Sequence, residues 1–192
     1  MTVTYTSYLQ VDELLNLQKE LSDGPEQDEL LFIIIHQVYE LWFKQILHEV
    51  DFLEVKLSDG DTPAALHTMK RIRTILKTMV SQIDILETMT PMSFESFRDR
   101  LSTSSGFQSA QFREFECALG KRSARLLAPH PEGSPARQRI EARMDKPSLY
   151  AVFLDYLRKK GHDIPQPEKP YARDESTHPD EKIQDALLDV YK

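Results

Sequence analysis

The stretch Glu29-Leu30-Leu31-Phe32-Ile33-Ile34-Ile35-His36-Gln37-Val38-Tyr39-Glu40-Leu41-Trp42-Phe43-Lys44 sets a histidine one helical turn after a phenylalanine inside an almost wholly apolar run. Residues four apart share a helix face, so Phe32, His36 and Glu40 form one line, with Leu31, Ile34, Ile35, Val38, Leu41 and Trp42 on the flanks. A helix that is apolar nearly all round belongs at the centre of a larger helical body. An imidazole buried there tends to lose its proton and to keep one hydrogen bond. Taken alone, the segment favours a core histidine satisfied by a neighbouring carbonyl. The competing reading is a histidine that faces a ligand pocket.

Working outward, apolar residues recur at helical spacing almost everywhere and no stretch alternates as a half-buried strand would. The expected fold is all-α, a bundle of long antiparallel helices with shorter accessory helices. A first helix should run from about Val11 to Leu21 and stop at Asp23-Gly24-Pro25. Asp28 should cap a long helix reaching roughly to Leu57, followed by the turn Ser58-Asp59-Gly60-Asp61. Thr62-Pro63 reads as a cap followed by proline at the first helical position, opening a third helix that runs to about Met89. Two such helices joined by a short turn are the seed of a bundle. A short helix is expected around Phe94 to Arg100, and then a flexible stretch from Leu101 to Gly106. Another helix should cover Phe107 to Leu127, with a proline-rich linker at Pro129 to Pro135. Helices should flank Lys146-Pro147, with a break at Gly161 and an extended excursion from Ile164 to Asp174. A last helix is expected from Asp180 to Tyr191, with no stop signal after it.

The 192 residues, 40% hydrophobic with 6 glycines, suffice for one sizeable core, so residues 1–192 read as a single helical domain. A net charge of −7 with a pI near 5.4 speaks against nucleic acid and anionic membranes as partners, which call for a basic stripe. The densest basic cluster, Lys121-Arg122-Ser123-Ala124-Arg125, is expected at a helix end, where cations meet the last carbonyls. A lone cysteine, Cys117, excludes an internal disulfide and fits a reducing compartment. With no leader pattern and no run of about eighteen uninterrupted apolar residues, a cytoplasmic location is expected.

Other chemistries find little support. His36, Glu40, His48 and Glu49 suggest a carboxylate-bridged metal pair, but such sites use Glu-x-x-His, and Gln45-Ile46-Leu47-His48 lacks the glutamate. His67, His130, His162 and His178 lack ligand spacing and read as solvated surface histidines. Phosphate-binding glycine loops, nucleophile elbows and dinucleotide fingerprints are missing from the sequence.

Several separated motifs in order carry a resemblance. Leu31 to Gln37 followed by Glu40-Leu41-Trp42, then Phe94-Glu95-Ser96-Phe97-Arg98, and Ser104-Ser105-Gly106-Phe107-Gln108-Ser109 resemble the tryptophan 2,3-dioxygenase family. Tyr5 and Tyr8-Leu9 are similar to its amino-terminal motif, and Pro147-Ser148-Leu149-Tyr150 to its later helices. The resemblance implies a ferrous haem b enzyme that inserts both atoms of O2 across the indole C2–C3 bond of L-tryptophan, giving N-formylkynurenine at the head of the kynurenine route. It implies that Phe32 lies against the indole and that His36 hydrogen-bonds the indole N–H as a positioning residue. Ile33, Ile34 and Ile35 would complete the wall. Arg98 would hold the substrate carboxylate beside Phe94, Ser105 would lie near haem and substrate, and Gly106 would permit close backbone approach. Tyr5, Tyr8 and Leu9 would cover a neighbouring subunit's site in a homotetramer that exchanges amino-terminal segments. No histidine here matches the family's proximal haem ligand, which is expected beyond Lys192, together with a threonine that contacts the substrate ammonium. Two alternatives are a catalytically silent tryptophan- or indole-binding or assembly module, and a dioxygenase acting on another indole.

Overall fold

The computed structural model describes residues 2–24, 26–102, 104, 106–166 and 181–191, except for the side chain of Phe107. Among them every regular element is helical. The α-helices are α1 (Tyr5–Leu9), α2 (Val11–Leu15), α3 (Gln27–Asp59), α4 (Thr62–Leu86), α5 (Pro91–Arg98), α6 (Ala110–Leu119), α7 (Pro135–Met144), α8 (Leu149–Lys159) and α9 (Glu181–Tyr191). Short 3-10 turns cover Asp99–Leu101, Gly106–Gln108 and Ala124–Leu126. The all-α class expected from the hydrophobic period is the class observed.

Contacts divide the chain into two compact units: residues 1–39 with 78–106, and residues 40–77 with 107–192. The α3 and α4 helices contribute to both. In the second unit Glu49 of α3 accepts from Arg71 of α4 at 2.9 Å, and in the first the Tyr39 hydroxyl donates to the Met79 carbonyl. Within the second unit the short turn between α3 and α4 and the Glu49–Arg71 pair make an antiparallel hairpin. Its turn places Gly60 at φ +76, a left-handed conformation that glycine adopts without steric cost. By length and hydropathy α3 also meets the requirement for a membrane span, which the central helix of a bundle meets equally.

Several boundaries differ from expectation, each for a local reason. The amino-terminal region holds two short helices instead of one from Val11 to Leu21. Thr4 and Ser7 form a reciprocal cap that starts α1 early, and Gln10 at φ 54 breaks the helix before α2. Asp61 caps α4 instead of Thr62, its carboxylate accepting from the Ala64 N–H, while the Thr62 hydroxyl pairs with Tyr156 at 2.8 Å. The helix expected to reach Leu127 stops at Leu119, because Gly120 at φ 108 forms a left-handed terminus. The basic cluster therefore follows α6 instead of capping it. Lys121 pairs with Glu116 at 2.6 Å and Arg122 donates to the Lys146 carbonyl. The excursion from Ile164 to Asp174 lies largely outside the described residues.

The buried residues of the second unit include a stripe of α3 (Phe43, Ile46, Leu47, Val50, Leu53, Leu57) and Ala65, Ile72 and Ile75 of α4. Cys117, Leu126, Ile140 and Met144 form one satellite cluster, and Leu154, Leu157, Ile164 and Ile183 another. Cys117 is a buried free thiol, as expected, and burial pushes it up to about 11. His130 departs from expectation. It is buried, its Nε2 has no hydrogen-bond partner, and desolvation aided by Arg113 and Arg139 pushes its pKa down. The α3 helix departs as well: Leu30, Ile34, Leu41, Phe52 and Val55 are exposed, so it is not enclosed all round. Apolar composition determines what a face can bury, not whether this chain covers it.

Candidate functional site

The first unit holds the expected pocket residues on α3, on α5 and at the start of the 3-10 turn at Gly106. Thr90 caps α5 by accepting from the Ser93 N–H, with Pro91 at the first helical position. This fixes the register that sends Phe97 fully into the core and sets Phe94 and Arg98, one turn apart, on a common outer face. The guanidinium of Arg98 lies 5.9 Å from the centre of the Phe94 ring and 3.6 Å from Glu95. With its side chain 63% exposed, the guanidinium is available to an anion.

The ring of Phe32 is the hub of the site. Ring centres lie 4.2 Å away for His36, 5.8 Å for Phe94 and 5.6 Å for Phe97. Phe94 and Phe97 meet edge to face at 5.5 Å, an arrangement that favours a fixed aromatic cluster. His36 is half-buried rather than buried, and the Nε2 edge of its ring lies beside Gly106. Its Nδ1 lies 2.8 Å from the Phe32 carbonyl, which can only accept, so Nδ1 carries the proton. In the neutral ring Nε2 is then a free acceptor. The result is a line with an acceptor nitrogen at His36, aromatic faces at Phe32 and Phe94, and a cationic fork at Arg98.

Not every expected residue joins this line. Helical geometry sends Ile33, Ile34 and Ile35 in three directions: Ile35 is buried, Ile33 half-buried and Ile34 exposed. Tyr5 and Tyr8 are about three-quarters exposed and Leu9 is also open, all on α1. Ser105 lies outside the described residues.

The sequence reading missed the polar clamp that holds this region. The Glu29 carboxylate, 1% exposed, accepts from the Leu21 N–H at 2.7 Å and the Ser22 N–H at 3.1 Å. Burial opposes its charge, but the bonds from Leu21 and Ser22, together with Arg100, hold its pKa below the usual carboxylate value. Arg100 also donates to the Leu21 carbonyl and Asp23, Ser96 donates to Glu26, and Gln37 bonds Gln18 and the Leu17 carbonyl. A buried glutamate at the start of an apolar helix was the available signal.

The second unit contains an apolar cleft of about 250 Å³ lined by Leu53, Leu57, Met69, Leu119 and Phe153 among others. Few polar atoms line it, so it offers volume without chemistry. Nearby carboxylates are already engaged: Glu49 is held by Arg71 and Gln45. Among the described residues no group of three or more His, Cys, Asp or Glu side chains gathers to hold a metal ion.

Comparison with known proteins identifies the family. The family model described as tryptophan 2,3-dioxygenase matches residues 1–133. A protein of that name from Anaeromyxobacter sp. (strain K) is 53% identical over 99% of this chain and 71% of its own length. Namesakes from Herpetosiphon aurantiacus and Caulobacter vibrioides are 50% and 42% identical, each over 99% of this chain and 73% and 72% of their own lengths. The chain belongs to the tryptophan 2,3-dioxygenase family.

Proposed function

We propose that this protein is a haem-dependent tryptophan 2,3-dioxygenase that adds both atoms of O2 across the indole C2–C3 bond of L-tryptophan to give N-formylkynurenine. The observation that carries the reading is the continuous line His36, Phe32, Phe94, Arg98. Its parts match the substrate in order. The free Nε2 of His36 accepts the indole N–H, the phenyl faces hold the ring, and Arg98 grips the carboxylate with a two-pronged geometry that lysine lacks.

The described residues fit one wall of a haem pocket, with half-buried aromatic rings and an imidazole whose Nδ1 is already bonded to the Phe32 carbonyl. They do not assemble a ligand set for its iron. When bound, haem supplies the oxygen chemistry, while the protein orients the substrate and excludes water. His36 needs only to accept and hold a proton donor, so it acts as a positioning residue.

The exposed Tyr5, Tyr8 and Leu9 support a homotetramer in which α1 covers a neighbouring site, since each would bury apolar surface there. Their aromatic rings offer two large faces on one short helix. The buried free thiol of Cys117 supports a reducing, cytoplasmic setting.

The test is steady-state turnover of L-tryptophan by haem-supplied protein and by two variants. His36→Ala should retain haem and a fraction of its activity while KM rises. Arg98→Lys should raise KM by about ten-fold or more, as expected when a paired charge loses its fork. Full activity in His36→Ala would overturn the role given to that residue, and loss of haem in it would make His36 an iron ligand instead.

A further inference from the structure

Gly106 stands on the Nε2 side of His36. A Cβ built at this position would lie 3.4 Å from Nε2 and 3.7 Å from Cδ2 of that ring. The backbone gives no reason for a glycine here. Gly60, Gly120, Gly133 and Gly161 occupy the left-handed region, whereas Gly106 opens a 3-10 turn, a conformation available to any residue. Glycine loses more conformational freedom on folding than other residues, so its presence at an ordinary backbone position needs another explanation. The space beside Nε2 supplies one.

We infer that Gly106 is a specificity-determining residue: by carrying no side chain it keeps His36 Nε2 open to a ring N–H, so that the site takes indoles with a free N–H in preference to N-substituted ones of similar shape. The inference rests on the functional reading above. A Cβ at that distance sits in ordinary van der Waals contact over Nε2, and the bond from Nδ1 to the Phe32 carbonyl holds the ring in that position. A methyl at position 106 therefore competes directly with an incoming donor for the nitrogen's surroundings. An N-substituted indole gains nothing from the open nitrogen, because it has no proton to share.

Carbethoxylation of His36 by diethyl pyrocarbonate, followed peptide by peptide by mass spectrometry on haem-supplied protein, reads the openness of the nitrogen without reading turnover. The exposed His48 and His162 serve as internal references for folding. Gly106→Ala should slow labelling of His36 by about five-fold and Gly106→Val by more, as expected when a reacting atom is screened at its attack distance. In the wild type, L-tryptophan should protect His36 and 1-methyl-L-tryptophan should protect it far less. Labelling of His36 at the wild-type rate in both variants, with tryptophan protection intact, would overturn the role of Gly106 and leave the functional reading standing. Failure of tryptophan to protect the wild-type ring would overturn the functional reading, and this inference with it.

Discussion

The two units use their apolar residues differently. In the second, α3 buries a stripe from Phe43 to Leu57 and α4 buries Ala65, Ile72 and Ile75, with two further clusters of buried residues in the same unit. Among the described residues of the first, the buried hydrophobics are Ile35, Met79 and Phe97, while Tyr5, Tyr8, Leu15, Leu17, Leu21, Val80 and Met92 stand open. Order there comes instead from polar bonds, with the buried Glu29 on the Leu21 and Ser22 amides and the exposed Arg100 on the Leu21 carbonyl. The described residues of the unit with the apolar cleft gather no group of three or more His, Cys, Asp or Glu side chains able to hold a metal ion, and the unit with the thin core presents an acceptor, aromatic faces and a cation in one line. Binding residues at the surface leave less apolar area for folding, so a region with a site must be held by other means.

The sharpest way to break this contrast is to remove Phe97, the one fully buried ring among the described residues of the first unit. Phe97→Ala should cost about 3–5 kcal/mol in urea unfolding, and it should loosen the Phe32 cluster, so tryptophan binding should fall with it. Leu154→Ala in the second unit should cost a comparable 2–5 kcal/mol, about the range for such truncations, yet leave the binding residues unchanged. Equal losses of binding in both variants would erase the distinction between the units.

Titration sharpens the contrast further. The thiol of Cys117, raised to about 11 by burial, favours the neutral form in the folded state. Its contribution is complete below the unfolded value near 9 and is lost as pH rises toward 11, about 2–3 kcal/mol for a shift of this size. Alkaline unfolding should therefore be steeper in the wild type than in Cys117→Ala. On the acid side the depressed groups behave in the opposite sense. His130 contributes above its ordinary value of 6.5, and that contribution is lost as pH falls through its lowered folded value. Glu29 contributes above 4.5 and loses its part only as pH falls through a value lower still. Hydrogen exchange should thus show the α6–α7 region loosening before the α3 start as acid is added. Glu29→Gln should cost about 1–3 kcal/mol, the usual range for weakening a buried charged hydrogen bond. Tyr8→Ala should change monomer stability by less than about 0.5 kcal/mol, since the ring is exposed.

Much of this was legible in the sequence. The hydrophobic period announced the helices, the Ser58-Asp59-Gly60-Asp61 turn announced the hairpin, and the i, i+4 spacings Phe32/His36 and Phe94/Arg98 announced two shared faces that the structure realises. Cap placement was less legible, because Thr4, Asp61 and Gly120 compete with equally plausible neighbours one or two residues away. Burial of single polar residues was least legible. His130 and Glu29 look like surface residues until the segments that cover or bond them are known. The His36 ring meets Gly106, seventy residues away in sequence, and no local pattern encodes that meeting.

The most direct test of the site's chemistry is isotopic. Haem-supplied protein turned over with L-tryptophan under 18O2 should give N-formylkynurenine carrying two labelled oxygen atoms, with a markedly slower rate in Arg98→Ala. A product with one labelled oxygen, or turnover indifferent to Arg98, would contradict a dioxygenase site built on the line from His36 to Arg98.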